Sequence, residues 1–354
     1  MFDIHGVDEL WCVSTDKLCL KILTLNTMKH ILFLFLITLS ISAQTLDNKL
    51  TLTVAQDGSG DFKTIQEAVN NVKDNSEKRV VITIKPGKYV EKLEIPASKP
   101  FITLKGLDRN KTIISFDDYS GKPLREVDAS GKKEFGTSTS YSFLIKGNDC
   151  ILENLTVENT AGRVGQAVAL HIKSDRVVVK NCNLLGNQDT LYLSEGNTRT
   201  YFENCFINGT TDFIFGAATA YFYKCTIESL VNSYITAAST PQGQAYGFVF
   251  VDCKLTAKDK SVDKVFLGRP WRPYAQTVFI NTDLGSHIIP EGWNAWIDTR
   301  FPDKDKTAYY AEFGSKVSSA KELSQRVSWS HQLNKTEITR YDRDSVFKGW
   351  NPNK

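Results

Sequence analysis

Two aspartates carry the first chemical suggestion in this chain. Asp189 lies seven residues after Cys182, and Asp212 lies seven residues after Cys205. Two glutamines follow nearly the same rhythm, Gln166 standing 16 residues before Cys182 and Gln188 standing 17 before Cys205. If the cysteines occupy equivalent places in a repeat, two carboxylates and two side-chain amides fall into one patch. Carboxylates that close cannot ionise independently, so one keeps its proton to unusually high pH. A base or nucleophile then stands beside an acid, as acid–base chemistry requires. The same spacing also fits turn aspartates in a polar ladder without any catalytic role, and spacing alone leaves both readings open.

The elements that must position these residues recur along the chain. Val177–Leu184, Tyr201–Ile207, Tyr221–Ile227 and Phe248–Leu255 are each a β-branched or aromatic run ending in a polar residue and a cysteine. Their spacings are 23, 20 and 28 residues. Related runs without the cysteine begin at Val80, Phe101 and Ile151. Irregular repeats of strands and turns, without helical periodicity, point to a solenoid. The expected fold is all-β: one right-handed parallel β-helix over residues 48–354, with successive coils about 4.8 Å apart. The segment Thr64–Val72, apolar at 65, 68, 69 and 72, predicts a short helix capping the first coil. The cysteines are expected as buried small apolar side chains rather than bridges.

Composition excludes several classes. Of the 354 residues, 41% are hydrophobic and 23% charged, an ordinary globular balance that argues against disorder. The net charge of +3 is compatible with an acidic polymer, and no Lys/Arg run suggests nucleic acid as a partner. Met28-Lys29-His30 precedes an apolar run ending in Ser42-Ala43, the pattern of a secretory signal peptide at 28–43 with cleavage expected after Ala43. Residues 1–27 read as an upstream artefact of the gene model or as an extended signal region. The mature protein is expected to be extracellular or periplasmic, monomeric and without a membrane anchor. Cys12 and Cys19 fall in the part expected to be removed. The other five lack CxxC spacing or a neighbouring His pair, so neither a metal nor a cofactor is expected.

The words around the paired residues are more specific than their spacing. Gly186-Asn187-Gln188-Asp189-Thr190-Leu191-Tyr192, Gly209-Thr210-Thr211-Asp212-Phe213-Ile214-Phe215-Gly216 and Leu267-Gly268-Arg269-Pro270-Trp271 closely resemble the signatures of pectin methylesterases. Gln166–Leu170, the opening Val54–Ile65 and the late Ile289–Trp293 are similar to further motifs of that family, in the right order across 51–350. The resemblance implies a pectinesterase that hydrolyses methyl esters of polygalacturonate. Asp212 matches the nucleophile, Asp189 the acid/base, Gln166 and Gln188 the oxyanion-hole donors, and Arg269 the guanidinium that orients Asp212. Tyr192, Phe215, Trp271 and Trp293 resemble aromatics lining the sugar groove. His171 departs from the family, which usually has arginine there.

Three alternatives make different demands. A serine esterase needs a G-x-S-x-G elbow, which is missing, and only His171, His287 and His331 remain after processing. A pectate lyase of similar fold needs calcium and a cluster of acids to hold it. A polysaccharide-binding β-helix without activity has no need for Asp189, Asp212, Gln188 and Arg269 together.

Overall fold

The computed structural model describes residues 50–316 and 323–354. The expected leader at 28–43, the upstream 1–27 and the first two cysteines lie outside the described residues. From Leu50 onward the chain winds through three parallel sheets, one of eleven strands and two of seven among the described residues. All the strand ladders are parallel, and the chain forms a parallel β-helix. Among the described residues no helix is long and apolar enough to cross a membrane.

The repeated phrase is one corner of each coil. Strands Val177–Lys180, Arg199–Glu203, Thr219–Tyr223 and Phe248–Val251 lie side by side in the large sheet. Their register pairs Val178 with Tyr201, Tyr201 with Tyr221, and Tyr221 with Val249, reproducing the 23, 20 and 28 residue spacings. The polar residue after each strand turns the chain in a left-handed conformation. Asn181, Asn204, Lys224 and Asp252 have φ of 51°, 52°, 53° and 53°. Asn and Asp tolerate that conformation best, because a short polar side chain can bond locally. The corner residues stay in the ladder: the N–H of Asn181 donates to the Glu203 carbonyl at 2.9 Å, and that of Asn204 to Tyr223 at 3.1 Å.

One residue later the chain points inward. Cys182, Cys205, Cys225 and Cys253 are buried and free, one per coil. Beside them Phe202, Phe222, Phe250 and Phe279 form an internal stack with ring centroids 4.6, 4.4 and 4.4 Å apart. Aromatic pairs of this kind contribute about 0.5–1.5 kcal/mol each beyond their buried area.

Helix Ile65–Asn71 packs on the strands at Thr51–Val54, Val80–Ile84 and Leu93–Ile95, as the expected cap. Thr64 and Glu67 form a capping box, and the Glu91 carboxylate accepts the free N–H groups of Ile65 and Gln66 at 2.9 and 2.8 Å. An N-cap of this type is worth about 1 kcal/mol. The chain's far end was not foreseen from sequence. Short turns at Glu337–Tyr341 and Arg343–Phe347 lay Tyr341, Val346 and Phe347 over Tyr201, Tyr221 and Val249 on the outer face of the large sheet.

Candidate active site

A second row of corners faces outward and carries the paired residues. Strands Leu170–Ile172, Leu191–Leu193, Ile214–Gly216 and Tyr234–Ala238 are neighbours in one seven-stranded sheet. Leu191 pairs with Ile214, so Asp189 and Asp212 enter the two strands at equivalent places one coil apart. Both have left-handed backbones, with φ of 68° and 50°. The N–H of Asp189 donates to the Thr211 carbonyl at 3.1 Å, and the N–H of Asp212 to the Tyr234 carbonyl at 2.8 Å. Gln166 and Gln188 form a parallel bridge, so the one-residue difference in their spacing is absorbed before the corner.

Arg269 reaches this row from the next turn. It follows strand Phe266–Gly268, whose last residue allows no side chain: a Cβ on Gly268 would sit 1.9 Å from the Thr236 hydroxyl. With the coils that close, the Arg269 N–H donates to the Thr236 carbonyl at 2.9 Å. Its side chain donates from Nε and Nη2 to the two Asp212 oxygens at 3.0 and 2.7 Å. This two-pronged contact is the strong form of a charge-assisted bond.

The two carboxylates differ in their surroundings. Asp189 and Asp212 are 7% and 6% exposed. Burial, and then the charge of Asp212, hold the Asp189 carboxyl well above the usual carboxylate range, with Arg269 pulling weakly the other way. Burial also raises Asp212, but its hydrogen bonds and ion pair with Arg269 oppose the rise. Arg269 thus pulls the proton affinity of Asp212 down, with burial the larger effect. Of the two carboxyls, Asp189 is the one pushed further toward its protonated form.

Gln166, Gln188, Asp189, Asp212 and Arg269 line one cavity of about 470 Å³, together with Tyr192, Phe215 and Trp271. Thr137, Ser138, Ala237 and Trp296 complete its walls. Among the described residues no protein partner engages the side-chain amides of Gln166 and Gln188, which leaves their N–H donors for whatever enters. Tyr192 stacks on Phe215 at 4.2 Å, and His171 stacks on Tyr192 at 4.4 Å. His171 is buried at the end of this row, as the register partner of Tyr192 on the neighbouring strand. Its Nδ1 lies 3.1 Å from the Ser138 carbonyl, which can only accept, so Nδ1 carries the proton and Nε2 accepts from the Ser194 hydroxyl at 2.8 Å. Burial pushes its pKa down to about 3, so it stays neutral.

Trp293 is a correction. It is 1% exposed and lies inside the solenoid, 5.8 Å from Phe279 and 4.6 Å from Tyr310, at the end of the internal phenylalanine stack. The bridge it makes with Gly268 turns its side chain inward. Trp296, three residues later, takes the place in the cavity wall expected of Trp293. No periodicity marks Trp296, because its position depends on an irregular turn. Among the described residues no group of three His, Cys, Asp or Glu side chains converges as metal ligands.

Coils of parallel strands with a two-carboxylate cleft on one face define the class: a parallel β-helix protein. The particular family is named by its likeness to known proteins. A family model for pectinesterase matches residues 51–349, and the chain belongs to that family. It is similar to pectinesterase 31 of Arabidopsis thaliana, at 36% identity over 79% of this chain and 86% of that protein. Among solved structures, a pectin methylesterase from carrot superposes with a TM-score of 0.74 at 32% identity, covering 86% of this chain and 93% of the other. A pectin methylesterase in complex with hexasaccharide VII superposes at 0.72 and 30% identity, covering 86% and 98%.

Proposed function

We propose that this chain hydrolyses methyl esters of pectin, giving a free galacturonate carboxylate and methanol. The observation that carries the reading is the asymmetric pair: Asp212 is locked by Arg269, and Asp189 one coil away has no such partner among the described residues and is pushed toward its protonated form by burial. Asp212 attacks the ester carbonyl, and the resulting oxyanion takes hydrogen bonds from the Gln166 and Gln188 amides. Such a donor is worth about 3–4 kcal/mol in other hydrolases. As the C–O bond breaks, Asp189 gives its proton to the departing methoxide, leaving methanol and an anhydride between substrate and Asp212. The now ionised Asp189 takes a proton from water, whose hydroxide opens the anhydride. Asp212 returns as a carboxylate, Asp189 returns protonated, and the new galacturonate leaves as its carboxylate after losing a proton to solvent.

Tyr192, Phe215 and Trp271 offer flat apolar faces for the sugar rings. The chain acts as a monomer outside the cytoplasm, exported by its 28–43 leader; secretion of a reporter fused to that leader, and the elution volume of the mature protein, test these two points. Methanol release from methylated pectin tests the reaction. Full activity in excess chelator is expected, and activity restored by calcium together with an unsaturated, ultraviolet-absorbing product would favour a lyase instead.

A further inference from the structure

We propose that Tyr234 and Trp296 are positioning residues for this reaction, their rings flanking the Arg269 guanidinium so that its two-pronged edge stays on Asp212. The inference rests on the esterase reading above and adds what holds its arginine in place. The Arg269 Cζ lies 3.9 Å from the centroid of the Tyr234 ring and 3.8 Å from that of the Trp296 ring. Both distances are well inside the roughly 6 Å reach of a cation–π contact.

Tyr234 fixes both members of the ion pair. Its carbonyl accepts the Asp212 N–H at 2.8 Å while its ring lies against the cation that grips the Asp212 carboxylate. Phe266, its register partner on the next coil, stacks on it at 5.1 Å and limits its own motion. Trp296 comes from an irregular turn and has a φ of 46°, a left-handed conformation that is unfavourable for so large a residue. Its N–H is held by the Asn294 side chain at 2.8 Å. A second cation also lies over its ring: the Lys304 ammonium, on a side chain only 1% exposed, is 4.6 Å from the centroid. That ammonium has no hydrogen-bond partner, and its ion-pair oxygen on Asp298 is 3.8 Å away. A buried charge so poorly bonded costs free energy, and the indole face partly offsets that cost.

The chemistry explains why such a clamp is useful. Each turnover creates a carboxylate on the polymer, and a free guanidinium in the cleft binds carboxylates in the same fork geometry it uses for Asp212. An arginine able to swing would be captured by its own product. Tyr234 does not line the cavity, so its ring acts through Arg269 rather than on the sugar. The charged and titratable groups facing this pair are Asp189 from the preceding coil, the buried Tyr310 hydroxyl from inside, and Lys304 and Arg272 around the arginine.

The test compares Tyr234→Leu, Tyr234→Phe, Trp296→Leu and Trp296→Phe for methanol release from methylated pectin across pH, with Asp212→Asn as reference. The leucine variants are expected to lose roughly ten- to thirty-fold in kcat, the loss of a desolvated cation–π contact. For Tyr234→Leu, KM should stay within about twofold. The acid limb of its kcat profile should move to higher pH, because a loosened Arg269 no longer helps to keep Asp212 ionised. Both phenylalanine variants should recover most of the rate and the native limb. Trp296 lies outside the sheets, so its variants carry the test if Tyr234→Leu does not fold. An unchanged acid limb, a loss confined to KM, or phenylalanine variants as poor as the leucine ones would overturn the clamp. If Asp212→Asn is inactive while the leucine variants match the native enzyme, the clamp alone falls. An active Asp212→Asn brings down the esterase reading and the clamp with it.

Discussion

Two rows of left-handed corners, an inner one that turns a cysteine inward and an outer one that carries the aspartates, use one backbone device for opposite ends. At the inner corner a left-handed Asn, Lys or Asp recurs in coil after coil, at 154, 181, 204, 224, 252 and 281, and the middle four are each followed by an inward cysteine, at 182, 205, 225 and 253. At the outer corner the left-handed residues are Asp189 and Asp212, and their column does not repeat. Extending the strand register gives Ala167, Asp189, Asp212, Tyr234 and Phe266, five positions with four different residue types. Repetition along the axis marks positions that hold the coils together. A break in the repetition, at positions equally tied into the ladder, marks the cleft where the proposed chemistry is placed.

The comparison is broken most severely from the outer side. Asp212→Asn should fold and lose at least about 10⁴-fold in kcat, since a neutral amide cannot form the anhydride; methanol release with a circular-dichroism check on folding measures it. Gln166→Ala comes next. It removes one unengaged donor and should lower kcat by roughly 10²- to 10³-fold with little change in KM.

Asp189 sharpens the comparison in a different quantity. A carboxyl whose proton affinity is higher folded than unfolded contributes most to stability at low pH. That contribution is lost as pH rises from the ordinary carboxylate range through the raised folded value. Asp189→Asn, which carries no charge to bury, should therefore gain melting temperature relative to native protein at pH 8 and much less at pH 4, while losing activity. Thermal melts at the two pH values decide it. The native activity itself should follow a bell, falling on the acid side as Asp212 is protonated and on the alkaline side as Asp189 loses its proton. The smallest effect belongs to the inner corner: Cys225→Ala should cost on the order of 1–2 kcal/mol in denaturant melts, as a small cavity does, and leave kcat unchanged.

Much of this was legible because a solenoid turns sequence spacing into distance. The 23-residue interval that joins Cys182 to Cys205 also joins Asp189 to Asp212, and the register preserves both. The apolar positions 65, 68, 69 and 72 announced the capping helix through their helical period, while the Thr64 and Glu67 capping box emerged only in the structure. Arg269 could be assigned only through its Gly-Arg-Pro-Trp motif, since it arrives from an irregular turn 57 residues after Asp212. Tyr234 gave no sign, because its part depends on two contacts across coils. The exchange of Trp293 for Trp296 has the same origin. Which of two tryptophans three apart points inward is decided by a bridge to Gly268 and a left-handed turn, neither of which has a sequence period.

The inward cysteines have a further use to the experimenter. Thiols reached only from inside the coils are shut off from oxidants and exchange partners while the coils stay closed. A solenoid opens locally, each coil held mainly by its neighbours. The rate at which a soluble alkylating reagent modifies each thiol is then a clock for the opening of its own rung, and four such clocks stand in a row along the axis, one per coil. Read one by one by mass spectrometry, they would time where the ladder first comes undone.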